Sequence, residues 1–227
     1  KINKMGLKIK NSKNIVTENL VLALDGSDKI SYPGSGSTWF DRSGQGNNGT
    51  IANASFSDNS IVFDGTEDRV STNYGSGKNP TTQDLTYEVW AKKSVAGNEE
   101  FLFFNSQWGG DRRIYAGYID GKLAWGVQDR SWTSNDTDFT ITHNQWFQTV
   151  VTFSGSSAKL YANSELKDTD TITSFQLSHD LVIGSARNYN PNYDWTGNIA
   201  SFRVYEKALT QIEILQNYNA TKSRFGL

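Results

Sequence analysis

Arg113-Ile114-Tyr115-Ala116-Gly117-Tyr118-Ile119-Asp120-Gly121-Lys122-Leu123-Ala124-Trp125-Gly126-Val127-Gln128 reads as two strands joined by a two-residue turn. The Asp120-Gly121 step decides that reading, because the tightest hairpin turn needs positive φ at both central positions and Asp-Gly tolerates them. Aromatic and branched residues fill both flanks, as a pleated, half-buried surface demands. The same texture recurs outward from this hairpin. Phe101 to Phe104 is a continuous apolar run, the mark of a strand covered on both faces. Asp84 to Lys92 alternates, with Leu85, Tyr87, Val89 and Ala91 on one face and Thr86, Glu88, Trp90 and Lys92 on the other. Downstream, Gln145 to Phe153 and Lys159 to Asn163 flank Ser154-Gly155-Ser156-Ser157, a second hairpin with a longer loop.

Leu20 to Leu24, Ser60 to Asp64, Arg69 to Thr72, Leu181 to Gly184 and Ile199 to Tyr205 bring the total to about a dozen strands. Short strands punctuated by Gly, Asn and Ser predict an all-β fold, a two-sheet antiparallel β-sandwich with jelly-roll wiring. One short C-terminal helix is expected. Thr210 can cap its first turn, Glu213 can complete a capping box, and Ile212, Leu215 and Tyr218 offer a narrow apolar stripe. Residues 1–18 are polar and read as an arm or linker; residues 19–227 read as one domain.

The bulk properties narrow the function. A chain of 227 residues with net charge −2 lacks the basic footprint of a nucleic-acid binder. No run of 18 apolar residues is present to enter a membrane, and no apolar stretch of signal length follows the basic residues 1–10. The absence of cysteine removes disulfides, thiolate metal sites and cysteine nucleophiles. His143 and His179 are the two histidines, and neither stands near a nucleophile elbow or a metalloprotease helix. Retaining glycosidases need two carboxyl groups about 5–5.5 Å apart. The adjacent pairs Glu67-Asp68 and Glu99-Glu100 would point to opposite faces of a strand, so catalytic residues are not expected.

What remains is a binding surface carried on loops. Three clusters combine aromatic faces for sugar C–H patches with polar groups for hydroxyls. They are Trp108 with Asp111 and Arg112; Arg130 with Trp132; and Tyr189, Tyr193 and Trp195. The same residue types also anchor protein interfaces. Trp90, Trp125 and Trp146 lie in strands and read as core or sheet-face packing.

Several segments, in order, resemble the laminin-G-like branch of the concanavalin A-like lectin/glucanase superfamily. Trp39-Phe40-Asp41-Arg42-Ser43-Gly44-Gln45-Gly46-Asn47-Asn48-Gly49-Thr50 is similar to one of its motifs, and Phe63-Asp64-Gly65-Thr66-Glu67-Asp68-Arg69-Val70 to another. Trp146 to Phe153, Leu181 to Gly184 and Gly197 to Thr210 continue the likeness. The resemblance implies the jelly-roll fold. It also implies a Ca²⁺ site at Asp64 and Asp68, although Ala200 stands where the family's later segment carries an Asp. The opening, with Ser31 to Trp39, and the ending, Tyr218 to Leu227, look like modules of tailed-bacteriophage virion proteins. That likeness implies a non-catalytic virion surface protein, a capsid decoration, fibre or tail adhesin present in many copies or as a homo-oligomer. Its partners would be other virion subunits or cell-surface glycans. A carbohydrate-binding lectin module of a larger bacterial surface or secreted protein is the alternative, and a divergent glycoside hydrolase a remote one.

Overall fold

The computed structural model describes residues 14–95, 97, 99–105, 113–127, 136–173, 176–186 and 193–227. Among these the chain forms sixteen strands and one α-helix. The first six strands are β1 (Leu20–Asp25), β2 (Thr38–Trp39), β3 (Gly49–Ala52), β4 (Ser55–Ser57), β5 (Ser60–Asp64) and β6 (Arg69–Ser71). The central ones are β7 (Leu85–Lys93), β8 (Glu99–Asn105), β9 (Ile114–Ile119), β10 (Lys122–Val127) and β11 (Asp136–Thr140). Then come β12 (Trp146–Ser154), β13 (Ser157–Ala162), β14 (Glu165–Thr171), β15 (Leu181–Ile183), β16 (Thr196–Tyr205) and helix α1 (Gln211–Thr221), which runs into a 3-10 turn, Lys222–Phe225.

Two eight-stranded antiparallel sheets result. One runs β14-β13-β12-β7-β16-β5-β4 with β1 added on β16; the other runs β11-β10-β9-β8-β15-β6-β3-β2. The inner faces meet in one continuous core that includes Leu85, Tyr87, Val89 and Ala91 from β7 and Ile114, Ala116, Leu123 and Trp125 from the central hairpin. The Asp120-Gly121 turn has the expected positive φ values of 48° and 89°. The second hairpin is tighter than its sequence suggests. Ser154 pairs with Ser157, so Gly155 and Ser156 alone make the turn.

Three polar pins cross between the sheets inside the sandwich. The Tyr87 hydroxyl donates to Asn105 Oδ1 at 2.8 Å. Trp125 Nε1 donates to Asp168 Oδ2 at 2.9 Å. The Lys93 ammonium sits 2.8 Å from Glu100 Oε2 and donates to the Thr196 carbonyl at 3.2 Å. Each pin lets a buried polar group keep a partner where water is excluded.

The other face of β7, read from alternation as Thr86, Glu88, Trp90 and Lys92, does not face open solvent over its whole length, because α1 and the 3-10 turn cover much of it. The Thr210 capping box forms as expected. The expected stripe of Ile212, Leu215 and Tyr218 forms only in part: Tyr218 stacks on Trp90 at 5.6 Å, but Ile212 is exposed, and the helix buries Ile214, Asn217 and Thr221. The reason lies beneath it. Glu88 and Arg203 form a buried ion pair at 2.7 Å, and the helix meets that polar patch with Asn217, whose Nδ2 donates to Glu88 Oε2. Asn217 Oδ1 in turn accepts the Val16 N–H at 2.8 Å, so residues at the end of the stretch read as an arm pack against the helix.

Candidate functional site

The second sheet carries a separate aromatic cluster on the face turned away from the main core. Phe101, Phe104, Tyr115 and Ala186 are buried there, and half-buried Tyr193 packs against them. Phe101 meets Phe104 and Tyr115 edge-to-face at 5.4 and 5.3 Å, the arrangement that aromatic quadrupoles favour. Tyr115 lies over its cross-strand partner Gly126, where a Cβ would come within 2.2 Å of the ring, so glycine at 126 is what seats it. The result is a rigid aromatic floor.

Strand register places the roots of the expected binding loops around this floor. Asn105 pairs with Ile114, and Ile114 pairs with Val127. Segments 106–112 and 128–135 therefore leave adjacent strands at the same end of the sheet. Segment 187–192 starts after Ala186 and ends before Tyr193, both on the floor. Trp108, Asp111, Arg112, Arg130, Trp132 and Tyr189 lie outside the described residues.

The two remaining members of the third cluster part company. Tyr193 stays on the floor, its ring 5.8 Å from Phe101. Trp195 is corrected: it is fully buried in the core and cannot present a face to a ligand. Its backbone N–H donates to the Gly184 carbonyl at 2.8 Å, which ties the approach to β16 against the end of β15. There the Lys93 ammonium stands 5.4 Å from the Trp195 ring and 5.3 Å from that of Tyr118. Burial pulls the Lys93 ammonium below its usual value, against the pull of Glu100. Sequence reasoning missed this lysine because the strand was read as ending at Lys92; continued by one residue, the same alternation puts position 93 on the inward face.

Asp194, between these two, turns to a third neighbourhood. It accepts the Ser185 hydroxyl and the Glu67 N–H, and burial raises its carboxyl. Beside it Asp68, 3% exposed, accepts the Asp64 N–H on Oδ2 at 2.6 Å. Burial, and behind it the charges of Asp64 and Asp194, push the Asp68 carboxyl up to about 6 against the pull of that N–H. Asp64 is exposed and caps the Thr66 N–H. Of the two Ca²⁺ ligands that the resemblance implies, Asp64 is exposed and Asp68 is buried. A cation of this kind takes six to eight oxygens. Among the described residues no three His, Cys, Asp or Glu side chains are grouped to hold a metal, and Asp68 spends an oxygen closing its own turn.

The two antiparallel sheets and their order define a concanavalin A-like β-sandwich. The family model described as Concanavalin A-like lectin/glucanases superfamily, a laminin G type, matches residues 64–215, and the chain belongs to that family. No curated protein matches it. Among solved structures, a Trypanosoma rangeli sialidase bound to 2,3-difluorosialic acid superposes with a TM-score of 0.71 at 14% identity, over 91% of this chain and 34% of that one. The binding domain of Paraclostridial Mosquitocidal Protein 1 gives 0.67 at 16% identity, over 90% of this chain and 52% of that one. The botulinum neurotoxin serotype D binding domain gives 0.68 at 17% identity, over 91% and 52%. At such identities the likeness shows the fold alone, and the chain spans a third to a half of the length of these proteins.

Proposed function

We propose that this chain is a non-catalytic adhesion module that binds surface glycans through the loops rooted on the second sheet. The observation that carries this reading is the aromatic floor of Phe101, Phe104, Tyr115 and Tyr193, around which three Trp-, Arg- and Tyr-bearing segments attach. A rigid scaffold under variable loops is how β-sandwiches place binding groups. Displayed in many copies on a virion surface, such a module would touch host glycans, neighbouring subunits or both. The non-catalytic reading is supported, among the described residues, by three open concavities of about 350, 170 and 520 Å³ whose linings hold one carboxylate, Asp58. Two carboxyl groups are the minimum for most glycoside hydrolysis.

A second reading, a lectin module of a larger bacterial surface or secreted protein, is favoured by the two toxin binding domains, whose fold this chain shares over about nine-tenths of its length. A glycan array probed with the protein, Trp108→Ala and Trp132→Ala tests the common core of both readings. Saturable binding lost in either variant is expected. Silence from folded protein, or binding that survives both substitutions, overturns the loop assignment. Release of reducing sugar would overturn the non-catalytic reading. Co-assembly with capsid or tail subunits separates the virion setting from the secreted one.

A further inference from the structure

Trp146 was read as packing, and in part it is: its ring lies 4.8 Å from Phe225 and under the Lys92 ammonium at 5.1 Å. Yet it is half-buried, unlike Trp90 and Trp125, and it stands between two concavities, one on the first sheet and one at the sandwich edge, where Phe139 and Thr140 of β11 contribute. The larger, about 350 Å³, has Asp58, Asn59, Arg224 and Phe225 around it. The smaller, about 170 Å³, has Thr140, Thr142, Gln145 and Asn163.

The polar groups are held in place by the backbone. Asp58 and Asn59 form the two-residue turn between β4 and β5, both at positive φ (51° and 59°), which Asp and Asn tolerate. Gly26 packs so closely on this turn that a Cβ would lie 2.4 Å from the Asn59 carbonyl oxygen. Arg224 is gripped by Asp25 through two hydrogen bonds of 2.8 and 2.9 Å, so its charge is largely neutralised and its position set. Phe225 is stacked on the buried Trp90 at 4.3 Å. Aromatic surface at the centre, with turn-held carboxylate and amide groups and a paired guanidinium on one side and hydroxyl and amide groups on the other, is the chemistry of a site that takes apolar ring faces and many hydroxyls at once.

We propose that the groove across Trp146 is a second ligand site, distinct from the loop face, that binds a neutral oligosaccharide with sugar rings on both sides of the indole ridge. Neutrality follows from balanced charges: Arg224 is already paired with Asp25, and Asp58, the one lining carboxylate, stands against the Lys92 ammonium over the Trp146 ring. This site is centred on the first sheet, reaches β11 of the second, and shares no residue with the aromatic floor.

Tryptophan fluorescence titration with chitotetraose, cellotetraose and laminaritetraose, and with sialyllactose as the charged comparison, tests it. Saturable binding of at least one neutral tetrasaccharide is expected, weakened about tenfold or more by Trp146→Phe, Asp58→Asn and Thr142→Arg, which corresponds to about 1.4 kcal/mol. Asp58→Asn keeps a residue that tolerates positive φ, and Thr142 is exposed, so these two variants should melt like the parent. Leu166→Ala, on the exposed edge strand, should bind unchanged. The groove is overturned if no neutral tetrasaccharide saturates the folded protein or if sialyllactose alone does. Binding that ignores all three groove substitutions but vanishes in Trp132→Ala would place the ligand on the loop face and overturn it too.

Discussion

Asp68 closes the turn between β5 and β6 with Oδ2 on the Asp64 N–H, and it does so nearly out of water, beside Asp64 and Asp194. Glu67 and Arg69 complete the charged surroundings. A carboxyl pushed up to about 6 holds its proton more tightly in the folded chain than in the unfolded one, where the value is near 3.9. The stability this confers is complete below the unfolded value and is lost as pH rises through about 6. Asp194, also raised, adds in the same direction. Lowering pH from 7.5 to 5 should therefore relieve strain at this corner. Asp68→Asn, which keeps the acceptor and removes the charge, should raise stability at pH 7.5 by on the order of 1 kcal/mol after allowance for solvent screening, about 2–4 °C in melting temperature. It should also flatten the pH 5–7.5 dependence. Thermal melts across that range check both, and a variant that melts lower at pH 7.5 and keeps the slope would refute the account.

Strands announced themselves where one face is apolar and the other is not, or where Asp-Gly sets a turn. β7, the central hairpin and the capping box of α1 were legible for that reason. β14 was not, because an edge strand spelled Glu165 to Thr171 carries almost no apolar period. The buried face of α1 was misread because a polar patch, not an apolar groove, receives it. Trp195 was misread because Tyr193-Asp194-Trp195 looks like one exposed cluster, while the chain there sends three consecutive side chains to three different neighbourhoods. The α1 interface makes its own prediction. Asn217 bonds Val16, Glu88 and Tyr205 at once, all out of water. Asn217→Ala would strand the Val16 N–H and a Glu88 oxygen, at a cost of about 2–3 kcal/mol. Thr210→Ala removes only a cap and should cost about 1 kcal/mol. Denaturant melts should rank them in that order, with residues 14–18 becoming the early site of proteolysis in Asn217→Ala alone; equal losses would mean that the polar patch does not hold the helix.

Across the whole molecule the two sheets share one apolar core, and the apolar contacts alone would allow them to slide. The Lys93–Glu100 pair resists that: it joins β7 to β8, takes in the Thr196 carbonyl and N–H at the start of β16, and sits between the rings of Tyr118 and Trp195. It thus ties the first sheet to the floor strand β8 and to the root of the segment that ends at Tyr193. Removing one partner of a buried pair leaves an uncompensated charge and costs about 3–5 kcal/mol, whereas replacing both with apolar groups of similar volume is often neutral. Lys93→Met should therefore lower the melting temperature by on the order of 10 °C, and Lys93→Met with Glu100→Leu should recover most of that loss. Function should not follow stability back. The double variant still lacks the bonds from Glu100 to Thr196 and from Lys93 to its carbonyl, so the loop root loosens and glycan binding at the loop face should stay weakened, while oligosaccharide binding at the Trp146 groove is retained. Melting and binding measured on the same three proteins decide it. Full recovery of both would reduce the pair to packing, and loss of groove binding in the double variant would mean that the two faces are coupled through the core.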